Sequence, residues 1–349
     1  MKKILLEGYY NHGNYGDDLL MVVSIQFLKQ LDIEFSMHEK DLPFFDSFIC
    51  NASTGDEDLI VKGGGGLFFD FKKDATFKDR LLNKVFSIPL FRKLAYLKLK
   101  AKTDTVLLGV GIGPYSDKSS RLWRQLLSME AVKLFCLRDQ ESVNFALAKG
   151  FTNVIQTTDL VFNTHLWSQY NQVKKQRLAT KVNKVGIVFR KWMYYDINYE
   201  AILSELVKAY GKNQVVLYFL QDSDTVVVKD FNQYEHYIYQ QGKEAHLTTF
   251  TNALSEVDLI YTMRAHGAIV GSCLNIPTVI LPIENKLKNV HQMIPDISYL
   301  NPDLYTYDFD AINTWYETLE ITTFEERTKR NQEMWDSKLA TIKKSLTHA

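Results

Sequence analysis

At 349 residues, with 41 Lys and Arg against 41 Asp and Glu and an apolar share of 46%, the chain is long enough for two cores. It carries no net field to gather nucleic acid. Cys50, Cys136 and Cys273 stand far apart in apolar surroundings, the pattern of reduced, buried thiols in the cytoplasm rather than of metal ligands or a disulfide framework. After Met1-Lys2-Lys3 the apolar run ends at Leu6, too short for a signal segment, and no run approaches the ~18 residues of a membrane span.

Ile4–Glu7 reads as a short buried strand that breaks into the glycine-bearing stretch 8–18, which holds Asn14. Its glycines allow a tight turn, and Asp17 and Asp18 suit the first turn of a helix predicted over Leu19–Leu31. The spacing does not match the dinucleotide fingerprint G-x-G-x-x-G. The next strand, Leu59–Lys62, runs into Gly63–Gly66, expected as a loop in which Gly64 and Gly65 let the backbone approach a ligand or make an unusual turn. Between 71 and 102 ten basic residues oppose Asp74 and Asp79, and apolar residues recur at helical spacing around Pro89. That segment reads either as a solvated face over a core helix or as a peripheral contact with an anionic membrane or a lipid-linked substrate.

Thr105–Leu108 is a third strand, opening into a glycine loop, 109–114, that contains Gly113. A helix over 121–129 leads to a strand, Ala131–Leu137, ending in Arg138-Asp139. Asp139 reads as the N-cap of a helix over Glu141–Lys149, with Gly150 as its terminator. Strand, charged turn and helix alternate through this half, which indicates a doubly wound α/β unit. Asp159 follows a short β segment, and Asn163–Asn183, polar and lysine-rich, is the expected linker. Val185–Phe189 starts a second α/β series with Arg190 at its end, and Val215–Leu220 is followed by Asp222 and Asp224. Two carboxylates after a strand fit a helix cap better than a metal pair.

The stretch around which the chain is organised follows. A strand over Val257–Tyr261 gives way to Arg264-Ala265-His266-Gly267 and a small-residue helix, Ala268–Cys273. In isolation such a pair also reads as a core histidine beside a structural arginine. At the carboxyl edge of a parallel strand, next to a helix N-terminus, it reads as a holder for a small anion beside a proton donor. A strand over Thr278–Leu281 then brings Glu284, Lys286 and Lys288 back to that edge, and Phe324–Leu346 is an amphipathic helix expected to pack on the first half.

Taken in order, 8–18, 62–66, 109–114, Leu137-Arg138-Asp139-Gln140-Glu141-Ser142 and Met263-Arg264-Ala265-His266-Gly267, with Lys286 downstream, resemble the polysaccharide pyruvyltransferase family from the first strand to about residue 295. The resemblance implies two Rossmann-like domains in a GT-B-like α/β fold, with parallel sheets facing an interdomain cleft: 1–165 on the acceptor side, 183–321 on the donor side, and a C-terminal helix in 322–349. It implies phosphoenolpyruvate as donor and a cell-surface polysaccharide or its lipid-linked precursor as acceptor; no cofactor or metal is expected, and the chain is expected in the cytoplasm, with the segment 71–102 as its candidate contact with the inner face of the cell membrane. His266 would be the general acid that protonates the enol methylene. Arg138 and Lys286 would hold the phosphate and carboxylate, Arg264 would support the loop, and Arg190, Asn14, Gly64, Gly65 and Gly113 complete the expected binding set. Where many relatives have leucine between arginine and histidine, this chain has Ala265. The alternatives are a GT-B glycosyltransferase using a nucleotide sugar, with Glu284 on the ribose, and a non-catalytic glycan-binding scaffold.

Overall fold

The computed structural model describes residues 2–348 except 45–47, 49, 71–74, 99–102, 116–118, 177, 193–195, 295–296 and 301–307. The first half runs β1 (Ile4–Glu7), α1 (Tyr15–Gln30), β2 (Ser36–Met37), β3 (Asn51–Ala52), β4 (Leu59–Asp70), α2 (Phe77–Ser87), α3 (Pro89–Lys98), β5 (Asp104–Tyr115), α4 (Leu122–Met129), β6 (Val132–Leu137), α5 (Gln140–Ala148) and β7 (Val154–Gln156). The second runs β8 (Val185–Phe189), α6 (Tyr199–Tyr210), β9 (Val215–Phe219), β10 (Glu235–Ile238), α7 (Glu244–Ser255), β11 (Leu259–Thr262), α8 (Ala265–Cys273), β12 (Thr278–Ile280), α9 (Asn285–Met293) and β13 (Ser298–Tyr299). Three helices close the chain: α10 (Phe309–Glu317), α11 (Ile321–Asp336) and α12 (Leu339–His348).

Among the described residues the strands form a 7-stranded sheet, β3-β2-β1-β4-β5-β6-β7, and a 6-stranded sheet, β10-β9-β8-β11-β12-β13. Neighbouring strands run parallel, as in β1 with β4 and β8 with β11. Strands β8, β9 and β11 are buried along their whole length. Continuous apolar runs are what a parallel sheet covered on both faces requires. In each sheet the order turns back beside the first strand, between β1 and β4 and between β8 and β11. The crevice at such a switch point is where α/β sheets bind ligands. The loops leaving β1, β8 and β11 carry Asn14, Arg190 and Arg264, and β4 carries the four glycines within the strand.

The glycine stretches differ from expectation. Strand β4 does not stop at Lys62 but continues to Asp70, and β5 continues through Gly109 and Gly113 to Tyr115, the two pairing as Gly65 with Val110 and Gly66 with Gly111. Each strand supplies the other's ladder hydrogen bonds, so positive φ at Gly64 (+48°) and Gly65 (+80°) bends the strand without ending it. A side chain on Gly63 would overlap Tyr10 and Ser24, and one on Gly64 would strike Leu20. The glycines therefore serve first to let α1 and Tyr10 lie directly on the sheet.

Helix α1 starts at Tyr15, one turn before the predicted Leu19, because the Asn14 side chain caps it by accepting from Gly16 N at 2.9 Å. It bonds across the two halves. Tyr15 N donates to Leu220 O at 2.9 Å, Tyr15 and Thr251 hydroxyls meet at 2.6 Å, and Tyr239 OH donates to Asp18 at 2.8 Å.

The expected polar linker is not a plain linker. Within it, Leu166, Trp167 and Tyr170 are buried along a 3-10 segment, Thr164–Tyr170, and Trp167 Nε1 donates to Val161 O at 2.8 Å. Apolar anchors set among polar residues hid this from a composition argument. The single C-terminal helix predicted over Phe324–Leu346 is two helices, broken at Ser337 and Lys338. Trp335, fully buried, meets the Phe27 ring of α1 edge-on at 5.4 Å and donates to Thr158 at 3.2 Å, and Lys343 lies 3.8 Å from Asp32. The chain thus ends against its first half. Lys72, Lys73, Lys100 and Lys102 of the basic segment lie outside the described residues. No helix among the described residues is long and apolar enough to cross a membrane.

Candidate active site

Strand β11 ends on a turn fixed by one hydroxyl: Thr262 Oγ1 accepts from Arg264 N at 3.0 Å and donates to Arg264 O at 2.9 Å. Arg264 becomes the N-cap of α8, and His266 its second residue, 7% exposed. Every residue of α8 is buried. The helix sits close to its own sheet because a side chain on Gly267 would overlap Thr262 and one on Gly271 would come within 2.8 Å of Thr278. The His266 ring rests on the first turn of α1, where a Cβ on Gly16 would overlap the imidazole and lie 2.6 Å from His266 Cβ. Its Nε2 is buried without a hydrogen-bond partner, 3.9 Å from Asp159 Oδ2.

Arg138 leaves the end of β6 and is 3% exposed. Its Nη1 donates to Asp159 Oδ2 at 2.7 Å, while Nε is buried without a hydrogen-bond partner, 3.7 Å from Asp139. Gly111 makes the passage, since a Cβ there would stand 2.8 Å from Arg138 Nε. Beyond it the guanidinium reaches Gly66. A Cβ on Gly66 would lie 3.9 Å from Arg138 Nη2 and 3.7 Å from Lys286 Nζ. Two cations from opposite halves therefore converge on one bare stretch of backbone. Lys286 forms no ion pair among the described residues.

The remaining arginines are anchored. Arg264 holds Asp224 through Nε at 2.9 Å and through Nη2, and Asp224 also accepts from Lys191 N at 2.9 Å. The Asp222 and Asp224 pair is thus an arginine clamp at its second member rather than the cap or the metal pair weighed from sequence. Arg190 binds Glu284 and lies 4.6 Å over the Trp192 ring. These groups surround a cavity of about 640 Å³ between the halves, lined by Asn14, Gly64 and Gly65 from the first half and by Arg190, Arg264, His266 and Lys286 from α8, α9 and β8's end. That volume suits a small molecule with room for part of a second. Arg138 stands behind Gly66 rather than in the lining, and Gly113 falls outside the cavity.

Asp17, Asp159 and Asp224 belong to the site, and sequence reasoning assigned none of them to it: Asp17 read as a first-turn helix residue and Asp224 as a cap or metal candidate. Asp17 projects from the first turn of α1 into the cavity and makes no hydrogen bond or ion pair among the described residues. Asp159 had a usable signal, since it follows β7 at the same carboxyl edge as Arg138.

Burial pushes His266 down to about 3, with Asp159 opposing the shift and Lys286, Arg138 and Arg264 adding to it. Desolvation and three cations outweigh one carboxylate and favour the neutral imidazole. Burial also lowers Lys286 to about 8, helped by Arg138, and raises Asp17 to about 6 against the pull of Lys286 and Arg264. Asp159 stays below its ordinary value: burial alone would raise it, but the charge and hydrogen bond of Arg138 hold it ionised. The site brings together three arginines each held by a carboxylate, Lys286 with no ion pair among the described residues, one neutral imidazole and one easily protonated carboxyl.

Two parallel α/β sheets facing a shared cleft define the GT-B fold. The chain is similar to the UDP-GlcNAc 2-epimerase of Methanocaldococcus jannaschii solved with UDP-GlcNAc and UDP, at 12% identity and a TM-score of 0.56 over 97% of this chain and 100% of that one. It is likewise similar to S. aureus MnaA solved with UDP, at 11% identity and a TM-score of 0.58 over 100% and 98% of the two chains. A variant of the wall teichoic acid polymerase TagF matches at 12% identity and a TM-score of 0.51, over 99% of this chain and 90% of that one. No curated protein sequence matches. Residues 14–285 match the family model for polysaccharide pyruvyl transferase, and the chain belongs to that family.

Proposed function

We propose that the chain transfers a pyruvyl group from phosphoenolpyruvate to two hydroxyls of a glycan or lipid-linked sugar, forming a cyclic ketal and releasing phosphate. The observation that carries this reading is the convergence of Lys286 Nζ and Arg138 Nη2 on Gly66, at the wall of a cavity that His266 also lines. A phosphate and a carboxylate on one small molecule require separated cations of this kind.

The donor's negative charge offsets the cations that depress His266, so binding raises the imidazole's affinity for a proton. Charged His266 delivers that proton to the enol methylene, leaving the adjacent carbon electron-poor. A sugar hydroxyl attacks that carbon and gives its proton to Asp17. The C–O bond to phosphate then breaks as the second hydroxyl attacks the same carbon, and its proton returns to the now neutral His266. Asp159 holds Arg138 in place and keeps a negative charge 3.9 Å from the imidazole that becomes cationic. Arg264 and Arg190, already bound to Asp224 and Glu284, shape the wall.

A second reading, a glycosyltransferase with a nucleotide sugar, draws on the UDP bound in two of the structural neighbours. Its ribose carboxylate, Glu284, is committed to Arg190. Thermal unfolding of wild type and Lys286→Met with phosphoenolpyruvate and with UDP-GlcNAc separates the two. At a hundredfold excess over Kd a ligand adds about 2.7 kcal/mol. Stabilisation of wild type by phosphoenolpyruvate, lost in Lys286→Met, is expected. Stabilisation by UDP-GlcNAc alone would replace the pyruvyl reading with the glycosyl one.

A further inference from the structure

Helices α2 and α3, with Ile88 between them, carry seven of the ten large hydrophobic residues exposed among the described residues. On α2 these include Phe77, 84% exposed, and Leu81; Ile88 lies between the helices, and α3 carries Leu90, Leu94 and Leu97, the last 77% exposed. Positions 90, 94 and 97 follow the i, i+4, i+7 spacing that stacks side chains on one helix face, and 77 and 81 share a face of α2 through i, i+4 spacing. The hairpin is not loosely held. Arg92, fully buried, binds Glu130, donates to Lys149 O at 2.6 Å and lies 4.4 Å over Phe151. Asn83 joins Ser119 O and Trp123 N at 2.6 and 2.9 Å. A rigidly clamped pair of helices therefore turns its oily side outward, the reverse of a surface helix that packs its apolar face on the core.

Lys78, Arg80, Lys84, Lys93 and Lys98 are exposed around this patch, and none forms an ion pair among the described residues. Asp79 is committed to the cap at Thr76 and to Trp123 Nε1 at 3.3 Å. Lys93 and Lys98 flank the leucine stripe of α3 on opposite sides. An apolar stripe bordered on both sides by cations is the pattern of a helix lying in a lipid headgroup layer. A second copy of this chain fits poorly, since a self-complementary contact would set five cations against five.

We infer that the α2–α3 surface docks the protein on an anionic lipid bilayer. The chain enters α2 from the carboxyl end of β4, the same end of the sheet that presents Gly64 and Gly65 to the cavity, so docking sets that edge toward the lipid. This inference goes beyond the donor reading and does not depend on it. Full-length protein is sedimented with vesicles of equal phosphatidylglycerol and phosphatidylcholine, and with phosphatidylcholine alone, beside Lys93→Glu/Lys98→Glu and Leu94→Ser/Leu97→Ser variants whose unfolding midpoints are checked. Wild type binds the anionic vesicles, less so at about 0.5 M salt, and each double variant loses roughly tenfold or more in affinity. Equal or absent binding to both vesicle types, or unchanged binding of the charge-reversed variant, overturns the inference. So does a wild-type dimer in sedimentation velocity that the Leu94→Ser/Leu97→Ser variant converts to monomer without altering vesicle binding.

Discussion

Replacing Gly16 with alanine sets two effects of opposite sign against each other. Gly16 lies in the first turn of α1 with ordinary helical φ, where alanine normally adds about 0.5–1 kcal/mol by restricting the unfolded chain. Here the new Cβ would overlap the His266 imidazole and lie 2.6 Å from His266 Cβ, closer than carbon atoms approach. Helix α8 is buried on every side and has no room to retreat, so the overlap costs about 1–3 kcal/mol and the net change is a loss of about 1–2 kcal/mol. Urea unfolding of Gly16→Ala, His266→Gly and the double variant gives the coupling. With the imidazole and its Cβ gone, Gly16→Ala should turn stabilising, a coupling of about 2 kcal/mol. Phosphoenolpyruvate-dependent turnover of Gly16→Ala should fall on the order of a hundredfold, because a shift of about 1 Å in the acid suffices for that. Additive stabilities within about 0.5 kcal/mol, with turnover intact, would refute the idea that His266 is seated on Gly16.

Acid lability gives a second check. His266 titrates near 3 when folded against 6.5 for its ordinary value, so between those pH values the unfolded chain binds a proton that the folded one does not, and stability falls as pH drops below about 6.5. From pH 7 to 5 wild type should lose roughly 2 kcal/mol relative to His266→Gln. Asp17, raised to about 6, acts in the opposite sense and cancels in that difference; parallel urea midpoints would exclude the shift. Gly66→Asp brings a carboxylate to Arg138 and Lys286 in space that an added Cβ does not crowd, so it should leave the unfolding midpoint near wild type and abolish phosphoenolpyruvate binding by calorimetry. Asp224→Ala strips the buried partner from Arg264 and should cost about 3–5 kcal/mol in urea unfolding.

The two-sheet α/β class was legible because parallel strands buried on both faces leave continuous apolar runs; β1 and β8 have the bounds their sequences predict. The glycine stretches misled at the ends of β4 and β5, because a strand paired along its whole edge tolerates positive φ that local reasoning assigns to a loop. The polar segment around Trp167 misled because composition averages away single buried aromatics. In the candidate site, the cations at strand ends were visible from position alone. Their partners were not. Arg138 and Asp159 lie 21 positions apart, Arg264 and Asp224 lie 40, and Arg190 and Glu284 lie 94, and nothing local marks one as the counter-charge of the other. The neutral state of His266 was equally hidden, since it comes from burial against Gly16 and from cations contributed by both halves.

The central claim is that His266 stands neutral among its neighbours and that binding of the donor anion charges it. Calorimetric titration of phosphoenolpyruvate at pH 7, in two buffers of different ionisation heat, measures this directly. The account predicts binding with net proton uptake by wild type, smaller uptake by His266→Gln, and wild-type affinity that tightens as pH falls. Binding with identical proton uptake in both proteins, or no binding where UDP-GlcNAc does bind, would contradict it.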